Sequence, residues 1–407
     1  MQSSNIKRII FINRYFYPDH SATSQILSDL AFFLTSKNYA IEIITSRSLY
    51  DEPDVVLSKT DNVNNVTINR LWTSRFGRKN LLGRAFDYLS FYFSSIIFLL
   101  WHLKSQDVVV AKTDPPLISI IAAVITKFKR AKLINWTQDL FPEVADSLGI
   151  KSGKVIYPFL KSLRNHSLKS AYKNIVIGDI MSEILQREGV DRSKISVIHN
   201  WSIEDNIAPI EPTDNKLRKE WGLDGKFVVG YSGNMGRAHD YVTIFKTAMK
   251  LSDNHNIVFV IIGGGLLYDK FRKEVENYSL KNVIFKPYQS RENLHLSLTL
   301  PDVHAISLIP SLEGLIVPSK FYGIIAAGRP VIYIGSSQGE IPRILDETGS
   351  GKTVQIGQVN EMEEIIKELS SDQVKLRTMS ENARNTFETK YTKKSAYDLW
   401  VELIESV

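Results

Sequence analysis

The sequence predicts an α/β protein built of two doubly wound domains, and three observations carry that prediction. Short β-branched runs alternate with helical patterns from residue 7 onward. A polar, turn-rich stretch at 204–215 interrupts the alternation, which then restarts. The chain's 407 residues exceed the size at which one hydrophobic core usually stops growing. Residues 1–203 therefore read as an N-terminal domain, 204–215 as a linker, 216–385 as a C-terminal domain and 386–407 as a terminal helix returning to the first domain.

In chain order, strands are expected first at 8–12, 41–45, 66–71, 108–111, 133–137, 175–177 and 195–198. Each is a short apolar or β-branched run bounded by polar turn residues. Helices are expected between them at 24–36, 84–103, 117–129, 155–171 and 180–188. In those stretches apolar residues recur every three or four positions. The second half repeats the architecture without repeating the sequence, with strands at 227–232, 257–262, 283–285, 303–308, 331–334 and 353–356. Its helices are expected at 241–251, 270–278, after Pro318, and at 361–369 and 380–404. Two such domains facing a central cleft would carry ligand sites at the carboxyl ends of their strands.

Composition narrows the function. A hydrophobic fraction of 43% with 23% charged residues is that of a soluble globular protein. The chain has no cysteine, which excludes disulfides, thiolate metal sites and thiol nucleophiles and suits a reducing cytoplasm. The apolar run at 9–12 is too short for a signal peptide and reads as the first strand. A net charge of +6 suits an anionic partner. Lysines and arginines are scattered, with no basic stripe or zinc-finger spacing, so nucleic-acid binding is not expected. A dense apolar block at 91–103 is flanked by Arg75, Arg78, Lys79, Arg84 and Lys104. It is shorter than the ~20 apolar residues a membrane span needs. It reads either as a buried amphipathic helix or as one lying in the headgroup layer of an anionic membrane.

The stretch at 310–332 sets Glu313 and Lys320 around a helix opening at Pro318 and Ser319. Unpaired N–H groups, the helix dipole and the lysine charge would together attract an anion. A glycine cluster at 230–240 follows a strand and contains Gly233, Asn234 and Arg237. Glycine there lets backbone N–H groups approach a phosphate, Arg237 can pair with its oxygens, and Asp240 would cap the next helix. A second cluster, Gly263 to Gly265, follows the next strand. Three such loops at successive strand ends converge on one face, and a nucleotide diphosphate is the economical ligand. No P-loop, dinucleotide fingerprint, metal-ligand spacing or nucleophile elbow occurs, and His20, His239 and His304 read as structural histidines.

In the first half, residues 13–25 are rich in small and hydroxylated side chains that would admit a polar substrate close to the backbone. At 135–143, Asp139 and Glu143 stand beside Trp136 and Phe141. A carboxylate against an aromatic wall can hold sugar hydroxyls or serve as a base, and turn or cap duty is the alternative for Asp139.

The motifs YPDHSATSQILSDLA, NWTQDLFPEVADSLG, VIHNWSIED, GYSGNMGRAHD, IIGGG and EGLIVPSKFYGIIAAGRPVI together carry a resemblance over nearly the whole chain. The chain resembles the family-4 retaining glycosyltransferases of the two-domain GT-B fold. It is most similar to the bacterial branch that builds O-antigen, colanic acid and capsular polysaccharide, including N-acetyl-L-fucosamine transferases. The resemblance implies a metal-independent hexosyltransferase without a cofactor. It implies transfer of an N-acetylated or deoxy hexose from a UDP-sugar to a polyprenyl-diphosphate-linked saccharide, at the inner face of the cytoplasmic membrane.

Carried over by motif, the resemblance implies catalytic roles for Asp139, Glu313, Arg237 and Lys320. It implies donor contacts at Gly233, Asn234, Gly264, Gly265, Tyr288, Gly314, Leu315, Pro318 and Ser319, and acceptor contacts at Tyr17, Asp19, Ser21, Thr23, Trp136 and Glu143. Two departures stand out. The family's second glutamate, bonded to ribose, falls at Gly323, and Asn234 and His239 stand where a cation pair is expected. A UDP-N-acetylglucosamine 2-epimerase-like isomerase of the same fold is the alternative, but it needs no lipid-facing helix. A non-catalytic scaffold is opposed by Glu313, Arg237 and Lys320.

Overall fold

The computed structural model describes residues 7–52, 54–77, 81–150, 153–202 and 207–407. Arg78, Lys79 and residues 204–206 of the expected linker lie outside them. The chain folds as two compact units, Met1–His199 with Ala396–Val407, and Asn200–Ser395.

In chain order the first unit comprises β1 (Arg8–Ile12), α1 (Ala22–Ser36), β2 (Ala40–Ser46), β3 (Thr60–Val63), β4 (Val66–Leu71), α2 (Leu81–His102) and β5 (Val108–Lys112). It continues through α3 (Ile118–Lys129), β6 (Lys132–Thr137), α4 (Glu143–Ser147), α5 (Ile156–Ser170), β7 (Lys173–Val176), α6 (Asp179–Arg187) and β8 (Ile195–Val197). The sheet order is β3-β4-β2-β1-β5-β6-β7-β8. Every pairing is parallel except β3 with β4.

Strand β3 escapes an apolar-run reading because its residues, Thr60 to Val63, are polar or half-exposed. The signal that marks it is the turn: Asn64 and Asn65 both take positive φ, 50° and 63°, as a two-residue hairpin loop requires.

The second unit comprises α7 (Lys216–Glu220), β9 (Phe227–Asn234), α8 (Val242–Lys250), β10 (Ile257–Gly264), α9 (Leu266–Asn277), β11 (Val283–Lys286), α10 (Leu294–Thr299) and β12 (Val303–Ser307). It ends with α11 (Lys320–Ala326), β13 (Val331–Ile334), α12 (Glu340–Thr348), β14 (Gly351–Val354), α13 (Val359–Ser371), α14 (Gln373–Thr386) and the start of α15 (Lys393–Glu405). Its six parallel strands run β11-β10-β9-β12-β13-β14. The helix expected at 380–404 is broken: one wide turn at Phe387–Tyr391 leads into extended Thr392, whose hydroxyl accepts from the Ser395 N–H at 3.1 Å. That hydroxyl caps α15, so the chain restarts a helix there.

Both sheets reverse direction once. In the first unit the order turns between β1 and β5, and in the second between β9 and β12. Loops leaving neighbouring strands on opposite faces diverge at such a point and leave a crevice at the carboxyl ends.

One face of the first sheet is sealed by the end of α15. Trp400 is fully buried and meets Trp136 edge-on at 4.7 Å and Phe11 at 6.3 Å. The other face buries Ile10, Val109 and Ala111 against Phe91 and Leu99 of α2 and Ile118 and Ala122 of α3. Trp400→Ala should therefore destabilise the first unit by about 3–5 kcal/mol. Urea denaturation followed by tryptophan fluorescence would show it as a lower midpoint at unchanged slope.

Candidate active site

At the reversal point of the second sheet, β9 and β10 end side by side, with Gly233 paired to Gly263 and Asn234 to Gly264. Gly263 has φ +136°, and a Cβ there would lie 2.2 Å from the Gly233 carbonyl oxygen. Only glycine lets the two strand ends touch, and the result is a stretch of bare backbone beside a loop. Tyr288, largely exposed, lies over Gly264, its ring edge 3.1 Å from where a Cβ would stand.

Lys320, the first residue of α11, reaches this backbone. Its ammonium donates to the Tyr231 hydroxyl at 2.6 Å and to the Asn234 carbonyl at 3.3 Å, and it sits 4.0 Å over the Tyr231 ring. Part of the side chain meets solvent, but the ammonium is enclosed by protein and has no carboxylate partner among the described residues. Desolvation accordingly lowers its pKa to about 7.

His239 Nδ1 lies 2.6 Å from the Ser307 carbonyl, which can only accept, so that nitrogen carries the proton. Burial, aided by the Lys320 charge, lowers the imidazole pKa to about 3 and keeps it neutral. Asp240 accepts from the Thr243 N–H at 2.9 Å, the capping duty expected of it. Arg237 is exposed and makes no ion pair with a described residue. Ser319 is exposed, already helical in backbone, and offers no side-chain cap. His304 is buried with Nε2 2.9 Å from the Leu298 carbonyl, a structural histidine.

Glu313, in the turn between β12 and α11, sets its carboxylate against the end of β13. Its Oε1 accepts from the Tyr333 hydroxyl at 2.5 Å, and the Ser336 N–H also bonds to the carboxylate. The carboxylate lies in a slot between Gly335 and Gly339, where a Cβ on Gly339 would stand 2.0 Å from Oε2. Burial pushes the Glu313 pKa up to about 7, against the pull of those two hydrogen bonds. The turn that carries Glu313 is closed by Gly314, at φ +73°, and by the Leu315 N–H donating to the Leu312 carbonyl at 3.0 Å. Gly323 faces α10, and a Cβ there would lie 3.2 Å from Leu298 Cδ1.

In the first unit, Thr113, Asn135, Thr137 and Asp139 line a small pocket with Phe141 and Arg164. Asp139 opens to solvent on one side, yet the protein packed around its carboxyl, and then the Asp114 charge, raise its pKa to about 6 against Lys112. Lys112 is buried, donates to the Thr23 carbonyl at 2.8 Å and lies 4.0 Å over the Trp136 ring. Burial lowers its pKa to about 7.

The residues expected at the acceptor divide. Trp136 does not face the pocket: its indole is buried against Trp400. Asp19 spends one carboxylate oxygen on the Ser21 N–H and hydroxyl and the other on the Tyr50 N–H, so the pair shapes its own loop. Glu143 is ion-paired with Arg164 at 2.5 Å. Tyr17 is half-exposed and edge-on to Phe32. Sequence reasoning missed Tyr231 and Tyr333, which lie within apolar strand runs and carry no local mark.

Helix α2 has two unlike faces. Asp87, Phe91, Ser95 and Leu99 point inward at four-residue spacing, while Phe86 (57% exposed), Phe93 (62%) and Trp101 (88%) point out with Leu82, Leu89 and Ile97. Neighbouring α3 adds exposed Phe128 (75%) beside Lys127 and Arg130. Among the described residues no helix is long and apolar enough to cross a membrane.

Residues 213–386, almost all of the second unit, match the family described as "Glycosyl transferases group 1". "Probable glycosyltransferase WbjE" of Pseudomonas aeruginosa is 28% identical over 280 residues, 68% of this chain and 69% of that protein. "Putative colanic acid biosynthesis glycosyl transferase WcaI" of Escherichia coli (strain K12) is 24% identical over 229 residues, 55% of this chain and 56% of that one. Anabaena Alr3699/HepE, solved in complex with UDP and glucose, superposes with a TM-score of 0.73 at 14% identity, covering 98% of this chain and 100% of its own. WaaG, a glycosyltransferase involved in lipopolysaccharide biosynthesis, gives 0.69 at 12% identity, covering 96% and 99%. The fold is the two-domain α/β fold of GT-B glycosyltransferases.

The slot around Glu313 makes a separable prediction. Gly339→Ala should cost about 1–3 kcal/mol through overpacking. Glu313→Ala added to it should recover most of that loss, and thermal unfolding of the four proteins of the cycle measures the coupling.

Proposed function

We propose that this chain is a retaining glycosyltransferase that moves a sugar from a UDP-sugar to a polyprenyl-diphosphate-linked saccharide in bacterial surface polysaccharide synthesis. The carrying observation is the Lys320 ammonium, held beside the bare strand ends at Gly233 and Gly263 with no carboxylate partner among the described residues. A nucleoside diphosphate arriving there would supply the missing anion. The group 1 domain supports transferase chemistry, and the UDP and glucose in the HepE structure support a UDP donor. The names of WcaI and WaaG support a polysaccharide or lipopolysaccharide product.

The chemistry asked of the protein is modest. As the bond between the anomeric carbon and the diphosphate breaks, negative charge grows on the leaving oxygen. Lys320, recharged by the approaching anion, backbone N–H groups and Arg237 would stabilise it with no metal. Glu313 would hold hydroxyls of the donor sugar. Asp139, whose pKa near 6 leaves it mostly ionised at neutral pH, would accept the proton of the attacking acceptor hydroxyl. Attack on the face the diphosphate leaves retains configuration. The outward face of α2, with Arg75 and Lys104 exposed near its ends, would rest on anionic lipid at the inner surface of the cytoplasmic membrane.

A panel of UDP- and GDP-sugars incubated with a polyprenyl-diphosphate saccharide should extend the lipid by one sugar, read by mass spectrometry. Lys320→Ala should lower that rate roughly 100-fold or more, and a chelator should leave it unchanged. Isomerised donor with no lipid product would overturn the proposal in favour of an epimerase.

Vesicles containing phosphatidylglycerol should sediment the wild-type protein at low salt. Phe86→Glu with Phe93→Glu should reduce the bound fraction at least about tenfold while transfer to a short water-soluble acceptor persists. Equal sedimentation of both proteins would remove α2 from the membrane contact.

A further inference from the structure

Glu313 is an unusual acid for its surroundings. It is half-buried, no cation pairs with it among the described residues, and its one side-chain hydrogen-bond partner is the phenol of Tyr333. Tyr333 itself is fully buried in β13, flanked by β12 and β14, so its hydroxyl has little freedom to move. The slot floor at Gly335 and Gly339 admits no side chain, which confines the carboxylate to the position the phenol selects. The charged groups on the adjoining elements are spoken for: Glu340 and Arg343 at the start of α12 pair at 2.8 Å, and the Lys320 ammonium is on Tyr231.

We propose that Tyr333 is the positioning residue of the donor-sugar site, fixing the Glu313 carboxylate in its glycine slot as an ionised acceptor for a sugar hydroxyl. This rests on the donor reading given above for Glu313. A phenol donating to Oε1 satisfies one oxygen and stabilises the charged form without bringing a second charge into the site. With the Ser336 N–H also on the carboxylate, its remaining lone pairs are left for a polyol. A cation in Tyr333's place would hold the carboxylate as firmly but would compete for the hydroxyl's partner.

Removing the phenolic hydroxyl removes a bond to the ionised form, so the Glu313 pKa, already near 7, must rise. In wild type the acidic limb of kcat/KM for the donor should fall near pH 7. In Tyr333→Phe, which keeps the ring and its packing, that limb should move up by about one pH unit. The loss should be roughly tenfold at pH 6.5 and small at pH 9. Carbon-13 NMR of labelled glutamate carboxyls, with Glu313→Gln identifying the signal, should show the same upward move without any substrate. An unshifted carboxyl signal, or a shifted signal with an unshifted rate profile, overturns the positioning role while leaving the transferase intact. If Glu313→Gln keeps full donor kcat/KM, the donor reading of Glu313 fails and the inference fails with it.

Discussion

Parallel strands deliver all their carboxyl ends to one edge, and that constraint organises everything chemical in this molecule. In the second unit the order reverses between β9 and β12, where the Ile309 N–H donates to the Ala238 carbonyl of the loop after β9, and α11 starts beside those strand ends. Lys320, Tyr231, Asn234 and the two paired glycines meet at that place because the topology leaves it open. The first unit repeats the device between β1 and β5, where Lys112 and the neighbouring Asp114 and Asp139 gather. No long-range design is needed beyond strand order.

Desolvation then tunes what topology collects. Lys320, Lys112, Glu313 and Asp139 all sit with pKa values shifted toward neutrality, and in each case burial is the leading cause. A lysine and a carboxylate moved from opposite ends of the scale toward pH 7 can each change protonation when a charged ligand arrives. Polar neighbours temper the shift without cancelling it: Tyr333 and Ser336 pull Glu313 down, and Asp114 holds Lys112 up. Burying ionisable groups with no ion pair to them among the described residues costs stability, and the Trp400–Trp136–Phe11 cluster and the dense second core are the kind of packing that can offset it.

Much of the fold was legible because parallel sheets bury near-continuous β-branched runs, and these survive in the sequence as visible blocks. Lys320 and Glu313 stand out in the sequence for a different reason: each is a charge set against apolar or glycine-rich neighbours. Trp136 shows where linear proximity misleads. It lies three residues from Asp139, but a strand alternates its side chains, so Asn135 and Thr137 line the pocket while Trp136 faces Trp400. Tyr231 and Tyr333 were illegible because a phenol inside an apolar strand reads as core until its partner from a distant loop is known. The internal partners of Glu143 and Asp19, Arg164 and the Tyr50 N–H, could not be read from the sequence because they lie 21 and 31 residues away.

Gly323 bears on what the donor site has become. Gly323, where the resemblance places a ribose-binding glutamate, faces α10, with Leu298 Cδ1 3.2 Å from any Cβ placed there. A glutamate would have to displace Leu298, which is buried, or turn away from it. The helix that presents Lys320 is thus packed on α10 through its small residue. Under the proposed function, recognition of the donor's hydroxyls then concentrates on the other end of the sugar-nucleotide. There Glu313 is the acid at hand, and its orientation is set by Tyr333 and two glycines rather than by a second carboxylate.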